Sequence, residues 1–433
     1  MAKLIAYGGA GSATGANFLL ELYGNKILVD CGTLQGAGDV KTENAKKFSY
    51  DPVSVNLLFV THAHIDHIGL IPKLYKEGFR GEIYSTAETR AIAELLLMDA
   101  AKIGAEDGAP LYGPADVEKT LLLWQILKYH EPKDFRGFKA EFFDAGHILG
   151  STMVKITSSK VSMLFSGDIG NSPSLLLPDV EKVSGLQYLL MESVYGDRNH
   201  EGKETRDLKF ERAVRDIISS GGTFLIPAFS LERTQVILYE LNNLFESKKI
   251  PSVSVYLDSP LAIRITDIYE RVKGMDNFNF KELHNTARVA DSREIAKVPG
   301  PKIIIAGSGM STAGRILGHE EMFLPDPNSA ILLIGYQAPG TLGRELEEGV
   351  KSVIIEGKKV IVRAKVERIH GFSAHADSDA LVKFVEPSRK TLKKVFVAMG
   401  EPKSAIFLAQ RLRDELEVDA VVAEKGKVYE LEL

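Results

Sequence analysis

Residues 61–67 read Thr61-His62-Ala63-His64-Ile65-Asp66-His67. This stretch holds three imidazoles and a carboxylate within six positions, in a chain with ten histidines in all. It follows an apolar run, Asn56-Leu57-Leu58-Phe59-Val60, and precedes a helix-like run from Ile68 to Tyr75. That order describes a strand delivering a ligand-dense loop to the start of a helix. Neutral imidazole and carboxylate suit zinc in an open, catalytic site. His62 and His64 can meet one metal, and Asp66 with His67 can meet a second beside it. Two close metals clamp the attacking and leaving oxygens of a hydrolytic displacement. A solvated or core histidine is the ordinary reading of a lone His at a strand end; three in one loop read otherwise.

Three further positions extend the pattern. Asp30 ends a strand in Leu28-Val29-Asp30-Cys31-Gly32, where a carboxylate can orient a ligand imidazole from behind. His147 lies among glycines after a strand, in Ala145-Gly146-His147-Ile148-Leu149-Gly150-Ser151. Asp168 closes another strand, in Phe165-Ser166-Gly167-Asp168-Ile169-Gly170, and is placed to bridge two cations. Each is weak alone. The succession H-x-H-x-D-H, His, Asp is much more specific.

At 433 residues the chain is longer than one typical domain. Its hydrophobic share of 45% and charged share of 26% are those of a soluble globular protein. The single cysteine, Cys31, excludes an intrachain disulfide and a cysteine-rich zinc site, and suits a reducing cytoplasm. The first residues lack the apolar core of a signal peptide, and no run approaches the length of a membrane span. The expected location is cytoplasmic, with no membrane partner. A net charge of −5 argues against broad, non-specific affinity for nucleic acid. A polyanionic substrate would need a local groove and metal ions.

Strand patterns occupy 3–7, 17–22, 26–30, 56–60, 82–85, 141–144, 153–157, 162–165 and 187–191, with helices over 87–102 and 114–128. After Tyr195 strands alternate with helices: 223–226 then 231–245, 254–257 then 261–272, 302–306 then 312–322. Such alternation predicts parallel pairing. Strands at 330–335, 352–355 and 360–369 follow, then a helix from Ser378, a strand at 394–398, a helix at 403–416 and a hairpin turning at Lys425-Gly426. The absence of a linker suits one domain inserted in another. Gly8-Gly9-Ala10-Gly11-Ser12-Ala13-Thr14-Gly15 invites a dinucleotide-binding reading, but its spacing fails and a strand follows it, so it is a tight turn.

The run Asp30, 62–67, His147, Asp168 resembles the metallo-β-lactamase superfamily. Glu192-Ser193-Val194-Tyr195-Gly196-Asp197-Arg198, Leu257-Asp258-Ser259-Pro260, Gly307-Ser308-Gly309-Met310 and Phe372-Ser373-Ala374-His375 resemble its β-CASP group of RNA-processing nucleases, in particular the compact prokaryotic relatives of the mRNA 3′-end-processing endonuclease. The resemblance covers nearly the whole chain and leaves no room for extra RNA-binding modules. It implies an α/β fold: a metallo-β-lactamase αββα sandwich over 1–195 and 370–433, with an inserted α/β β-CASP domain over 196–369. It also implies a zinc-dependent ribonuclease that hydrolyses single-stranded RNA in the cleft between domains through a metal-bridged hydroxide. His62, His64 and His147 would hold the first Zn2+, and Asp66 and His67 the second, with Asp168 bridging. Asp66 would orient the hydroxide, His375 would act as general acid, and Glu192 would set the His375 tautomer. A homodimer is a further family expectation.

One residue departs from the family pattern. A His-Gly-Glu run is expected after a late strand, and this chain reads Met399-Gly400-Glu401. Thioether sulfur is a poor zinc ligand, so the second site is expected to be weaker, with Mn2+ an alternative occupant. Glu401 and His370 are open as replacement ligands. On the substrate side, Ser230 and Arg233 stand at a strand-to-helix junction suited to a phosphate. Ser308 and Tyr336 follow strands of the same sheet. Two other functions compete: a pseudo-nuclease that scaffolds RNA, supported by Met399 alone, and a small-substrate metallo-hydrolase, which would need neither the insert nor the Glu192–His375 pair.

Overall fold

The computed structural model describes every residue except Met1, Ala37, Gly38, Lys273, Asp276, Tyr336, Pro339, His370 and Leu433. Its contacts divide the chain into two units, Met1–Asn199 with Ala374–Leu433, and His200–Ser373. The exchanges fall four residues after each edge read from the sequence.

The first unit contains two seven-stranded sheets. One runs in the order Val428–Leu431, Ala2–Gly8, Asn17–Leu22, Asn25–Val29, Leu57–Phe59, Glu82–Ser85, Trp124–Ile126. The other runs Ala420–Val422, Lys394–Val397, Tyr188–Met191, Ser162–Phe165, Thr152–Thr157, Phe138–Asp144, Lys133–Phe135. Leu4, Phe18, Leu20 and Phe59 of the first meet Phe142, Val154, Phe165 and Leu190 of the second in one apolar cluster. Alternation along each strand sends Leu19, Leu28, Leu58 and Ile83, equally buried, to the opposite face of the first sheet. On the far face of the second sheet, Met153, Leu164, Leu189 and Val395 cluster with Leu381 and Val385 of the helix Ser378–Val385 and with Leu408 and Leu412 of the helix Pro402–Leu416. Sheets covered on both faces explain strands that read as unbroken apolar runs. The helix Pro402–Leu416 starts with proline in its first turn, buries Ala405, Leu408, Ala409, Leu412 and Leu416 at spacings of three and four, and stops at Glu417, whose φ is 57°. Each fully buried leucine contributes about 1.5–3 kcal/mol.

The second unit is built on a six-stranded sheet in the order Leu283–Asn285, Ser254–Leu257, Lys302–Ala306, Thr223–Pro227, Ala330–Ile334, Lys365–Ile369. Every pairing in it is parallel. The central strands are buried throughout.

Three of the expected elements take a different form, and the helix Lys203–Ser220 is an addition to them. The helix expected over 114–128 ends at Leu121, and Trp124–Ile126 joins the first sheet as its edge strand. The strand expected over 360–369 is two. Lys358–Ile361 pairs antiparallel with Ser352–Ile355, and Lys365–Ile369 enters the parallel sheet. The expected hairpin around Lys425-Gly426 is a crossover: Ala420–Val422 pairs with Lys394–Val397 in one sheet, and Val428–Leu431 pairs with Ala2–Gly8 in the other. Among the described residues no helix is long and apolar enough to cross a membrane.

Candidate metal centre

Strand ends of both sheets in the first unit deliver the residues singled out by the sequence. His62 follows the strand Leu57–Phe59, and His64 caps a one-turn helix, Ile65–Ile68, that carries Asp66 and His67. Asp30 follows Asn25–Val29 at φ 60°, a conformation that short polar side chains tolerate. Gly32 lets the two loops close on each other, since a Cβ there would lie 1.5 Å from the Asp66 carbonyl oxygen. Backbone hydrogen bonds from Ala16 N to Asp66 O (2.9 Å) and from Cys31 N to His67 O (2.8 Å) fix the histidine loop.

His62 Nε2 and His147 Nε2 lie 3.1 and 3.2 Å from His64 Nδ1. Asp168 Oδ2 completes the group at 3.4 Å from His62 Nε2 and 3.6 Å from His147 Nε2. All four donor atoms fall within 4.8 Å of one another. The other oxygen, Asp168 Oδ1, faces His67 Nε2 at 3.4 Å, and Asp66 Oδ2 lies 3.9 Å from the same nitrogen. One carboxylate is thus shared between two donor sets.

The far side of three of the four rings is occupied. His67 Nδ1 meets Asp30 Oδ2 at 2.8 Å, His62 Nδ1 meets Thr61 Oγ1 at 3.0 Å, and His147 Nδ1 meets the Ala374 carbonyl at 3.2 Å. Asp30 also accepts from Thr61 N at 2.8 Å and Thr61 Oγ1 at 2.7 Å. Thr61 and the Ala374 carbonyl have no role in the sequence reading; the place of Thr61 beside His62 was the available signal, and a carbonyl leaves none.

A cation fits this arrangement on the structure's own terms. His67 Nε2 and Asp168 Oδ1 are buried and have no hydrogen-bond partner, a costly state for polar atoms unless something charged sits between them. Burial, reinforced by neighbouring imidazoles, holds His62, His64 and His147 below the usual histidine range despite Asp168. They are therefore neutral bases with lone pairs to offer. Burial pulls on His67 the same way, but Asp168 and Asp30 outweigh it and hold that ring well above its usual range. Protons thus gather where a second cation would sit.

Asp168, Glu192 and His375 form an adjoining group. Glu192 is fully buried; Oε1 accepts from Ile169 N at 2.6 Å and Oε2 from Val194 N at 3.2 Å. Its Oε1 also lies 3.2 Å from His375 Nδ1. Burial alone would lower the His375 pKa, yet the Glu192 carboxylate pushes it up to about 9.

The remaining expected residues stand elsewhere. Glu401 is exposed at the start of the helix Pro402–Leu416. Met399 is buried, with its sulfur against Gly9, and belongs to the inter-sheet cluster that holds Phe18. In the second unit, Ser230 Oγ lies 3.3 Å from Ser259 Oγ, past the carboxyl ends of the two strands that flank Lys302–Ala306. Arg233 opens the helix Arg233–Glu246. Ser308 Oγ accepts from Thr312 N at 2.9 Å and so closes its own turn. Tyr336 and His370 lie outside the described residues.

Fold and donor set together define a metal-dependent hydrolase. Models of three families match the chain: the metallo-beta-lactamase superfamily over residues 15–212, the Beta-Casp domain over 234–346, and the Zn-dependent metallo-hydrolase RNA specificity domain over 359–423. Ribonuclease TTHA0252 of Thermus thermophilus is 34% identical over 95% of this chain and 96% of its own length. Transcription termination factor FttA of Methanosarcina mazei is 31% identical over 96% of this chain and 70% of its own length. A solved structure of a protein of unknown function from Enterococcus faecalis V583 shares the fold, with a TM-score of 0.61 at 13% identity over 99% of each chain. The chain belongs to the β-CASP group of the metallo-β-lactamase superfamily.

Proposed function

We propose that this chain is a zinc-dependent ribonuclease that hydrolyses phosphodiester bonds of single-stranded RNA. The observation that carries the reading is the shared carboxylate: Asp168 turns one oxygen to His62 and His147 and the other to His67. The relative named as a ribonuclease and the family model named for RNA specificity support the substrate class. A donor set of imidazoles and carboxylates suits zinc, with manganese admissible where carboxylates dominate.

His62, His64, His147 and Asp168 would hold one ion, and Asp66, His67 and Asp168 the other. Two bound divalent ions supply Lewis-acid polarisation of a phosphoryl oxygen and acidify water. The chain's own groups handle position and protons. Asp30 fixes His67, and Asp66 orients the attacking water. Glu192 accepts from His375 Nδ1, which leaves Nε2 to carry the proton given to the leaving oxygen. Ser230 and Arg233, past the carboxyl end of a parallel strand, are candidate phosphate contacts.

With the Met399 thioether in the apolar cluster, the second set has three protein donors against four in the first. The second ion is therefore held more weakly. The functional test is cleavage of a single-stranded RNA by protein stripped of metal and then given zinc, beside a duplex of the same sequence. Zinc-restored cutting of the single strand supports the reading; indifference to metal contradicts it.

A further inference from the structure

The strand Tyr188–Met191 runs out into a loop that carries more than Glu192. Ser378 Oγ donates to the Gly196 carbonyl at 2.7 Å, Ser378 N to the Arg198 carbonyl at 3.1 Å, and Asn199 Nδ2 to Asp379 Oδ2 at 2.8 Å. Gly196 is pressed onto the helix Pro402–Leu416, where a Cβ would lie 2.6 Å from the Ser404 carbonyl oxygen. A backbone pinned this closely gives its side chains a fixed origin.

One of those side chains stands beside the proton-carrying histidine, and a second packs on it. The Tyr195 ring centroid is 6.2 Å from that of His375. The Arg198 guanidinium lies over the Tyr195 ring at 4.7 Å, and its Nη1 donates to Asp197 Oδ1 at 2.8 Å. The Arg198 side chain nevertheless stays 51% exposed. Asp197 serves others as well: Ser404 Oγ donates to Oδ1 at 3.0 Å, and Lys403 Nζ lies 3.3 Å from Oδ2. Two cations share one carboxylate, so this cluster keeps a positive charge in a chain whose net charge is −5. An exposed ion pair adds little to stability, so folding alone does not account for a guanidinium braced here. An aromatic brace removes rotamer freedom in advance, and the planar fork matches two oxygens of a phosphate.

We propose that Arg198, braced on Tyr195, binds the phosphodiester next to the scissile one, on the His375 side of the strand. This deepens the RNA-hydrolase reading and rests on it. A negatively charged chain that takes a polyanion needs a local cation beside the chemistry, and this cluster, in the same unit as the metal centre, supplies one.

The test compares the wild-type protein with Arg198→Ala and Arg198→Lys on two substrates. One is a short single-stranded RNA; the other is bis(p-nitrophenyl) phosphate, a diester with no neighbouring phosphate. Arg198→Ala is expected to raise KM for RNA about tenfold with little change in kcat, and to lose about tenfold more kcat/KM on RNA than on the small diester. The slope of log(kcat/KM) against log[salt] should become shallower by about 0.7, the share of one phosphate contact on a single strand. Arg198→Lys should keep that slope and recover part of the KM. Equal losses on both substrates would reduce Arg198 to a support of its loop, and an unchanged KM and salt slope would remove it from the substrate path; either result overturns the proposal. Wild-type turnover of the diester without RNA would overturn the RNA reading beneath it.

Discussion

Asp168 shows at the scale of one residue how the centre is organised. Its two oxygens face different donor sets, and Oδ1 and His67 Nε2, buried 3.4 Å apart without a hydrogen bond, mark where a second cation would sit. Asp30 acts one bond further out. In Asp30→Asn the carboxylate behind His67 becomes an amide, so affinity at the second ion should fall about 10–100-fold while the first ion stays bound. Calorimetric zinc titration reads this directly, and equal weakening of both sites would contradict it. His375→Ala should slow RNA cleavage by about 10²–10⁴-fold with the zinc content intact; loss of zinc would make His375 a ligand instead. The donors were legible in the sequence because three imidazoles and a carboxylate crowd one loop, and His147 and Asp168 follow it in order. Their supports were not. Thr61 hydroxyls are common at strand ends, and the carbonyl of Ala374 acquires its role only by lying 3.2 Å from His147, 227 positions away.

Elements were legible where periodicity is clean and opaque where pairing is non-local. The strands Asn17–Leu22 and Glu82–Ser85 and the parallel sheet of the second unit follow from apolar runs and strand–helix alternation. The helix Lys203–Ser220 has no counterpart in the sequence reading, because its charged surface outweighs the stripe of Phe210, Ala213, Val214 and Ile217 that it buries. The crossover at 420–431 reads as a hairpin because nothing local says that its two strands join different sheets. One helix carries a stability prediction. Glu320, on Arg315–Phe323, is fully buried; it accepts from Ser311 Oγ, and its Oε2 has no partner. Burial pushes its pKa from 4.5 up to about 8. Between those values the folded chain keeps a proton that the unfolded chain releases. Stability from this group is complete below pH 4.5 and falls as pH rises through 8, by about 1.4 kcal/mol per pH unit. Glu320→Gln keeps the bond to Ser311 and removes the titration, so its Tm should exceed that of the wild type at pH 9 and approach it near pH 5. An identical pH dependence in both proteins would contradict the assignment.

At the scale of the molecule, two sheets bring strand ends from distant parts of the sequence to one centre, and the second unit supplies a separate parallel sheet with hydroxyls past its strand ends. The centre is asymmetric, with four donors on one side and three on the other. Zinc titration of the wild type should therefore resolve a tight and a weaker site, and Met399→His should narrow the gap; two equally tight sites in the wild type would contradict this. On the proposed reading, the donors around Asp168 make a working phosphodiesterase for RNA. The most direct measurement is cleavage of an end-labelled single-stranded RNA by the wild-type protein and by Asp66→Ala, each stripped of metal and then supplied with zinc. Zinc-dependent cleavage by the wild type and none by Asp66→Ala is the expected result. Cleavage retained in Asp66→Ala, or absent from both proteins, would contradict it.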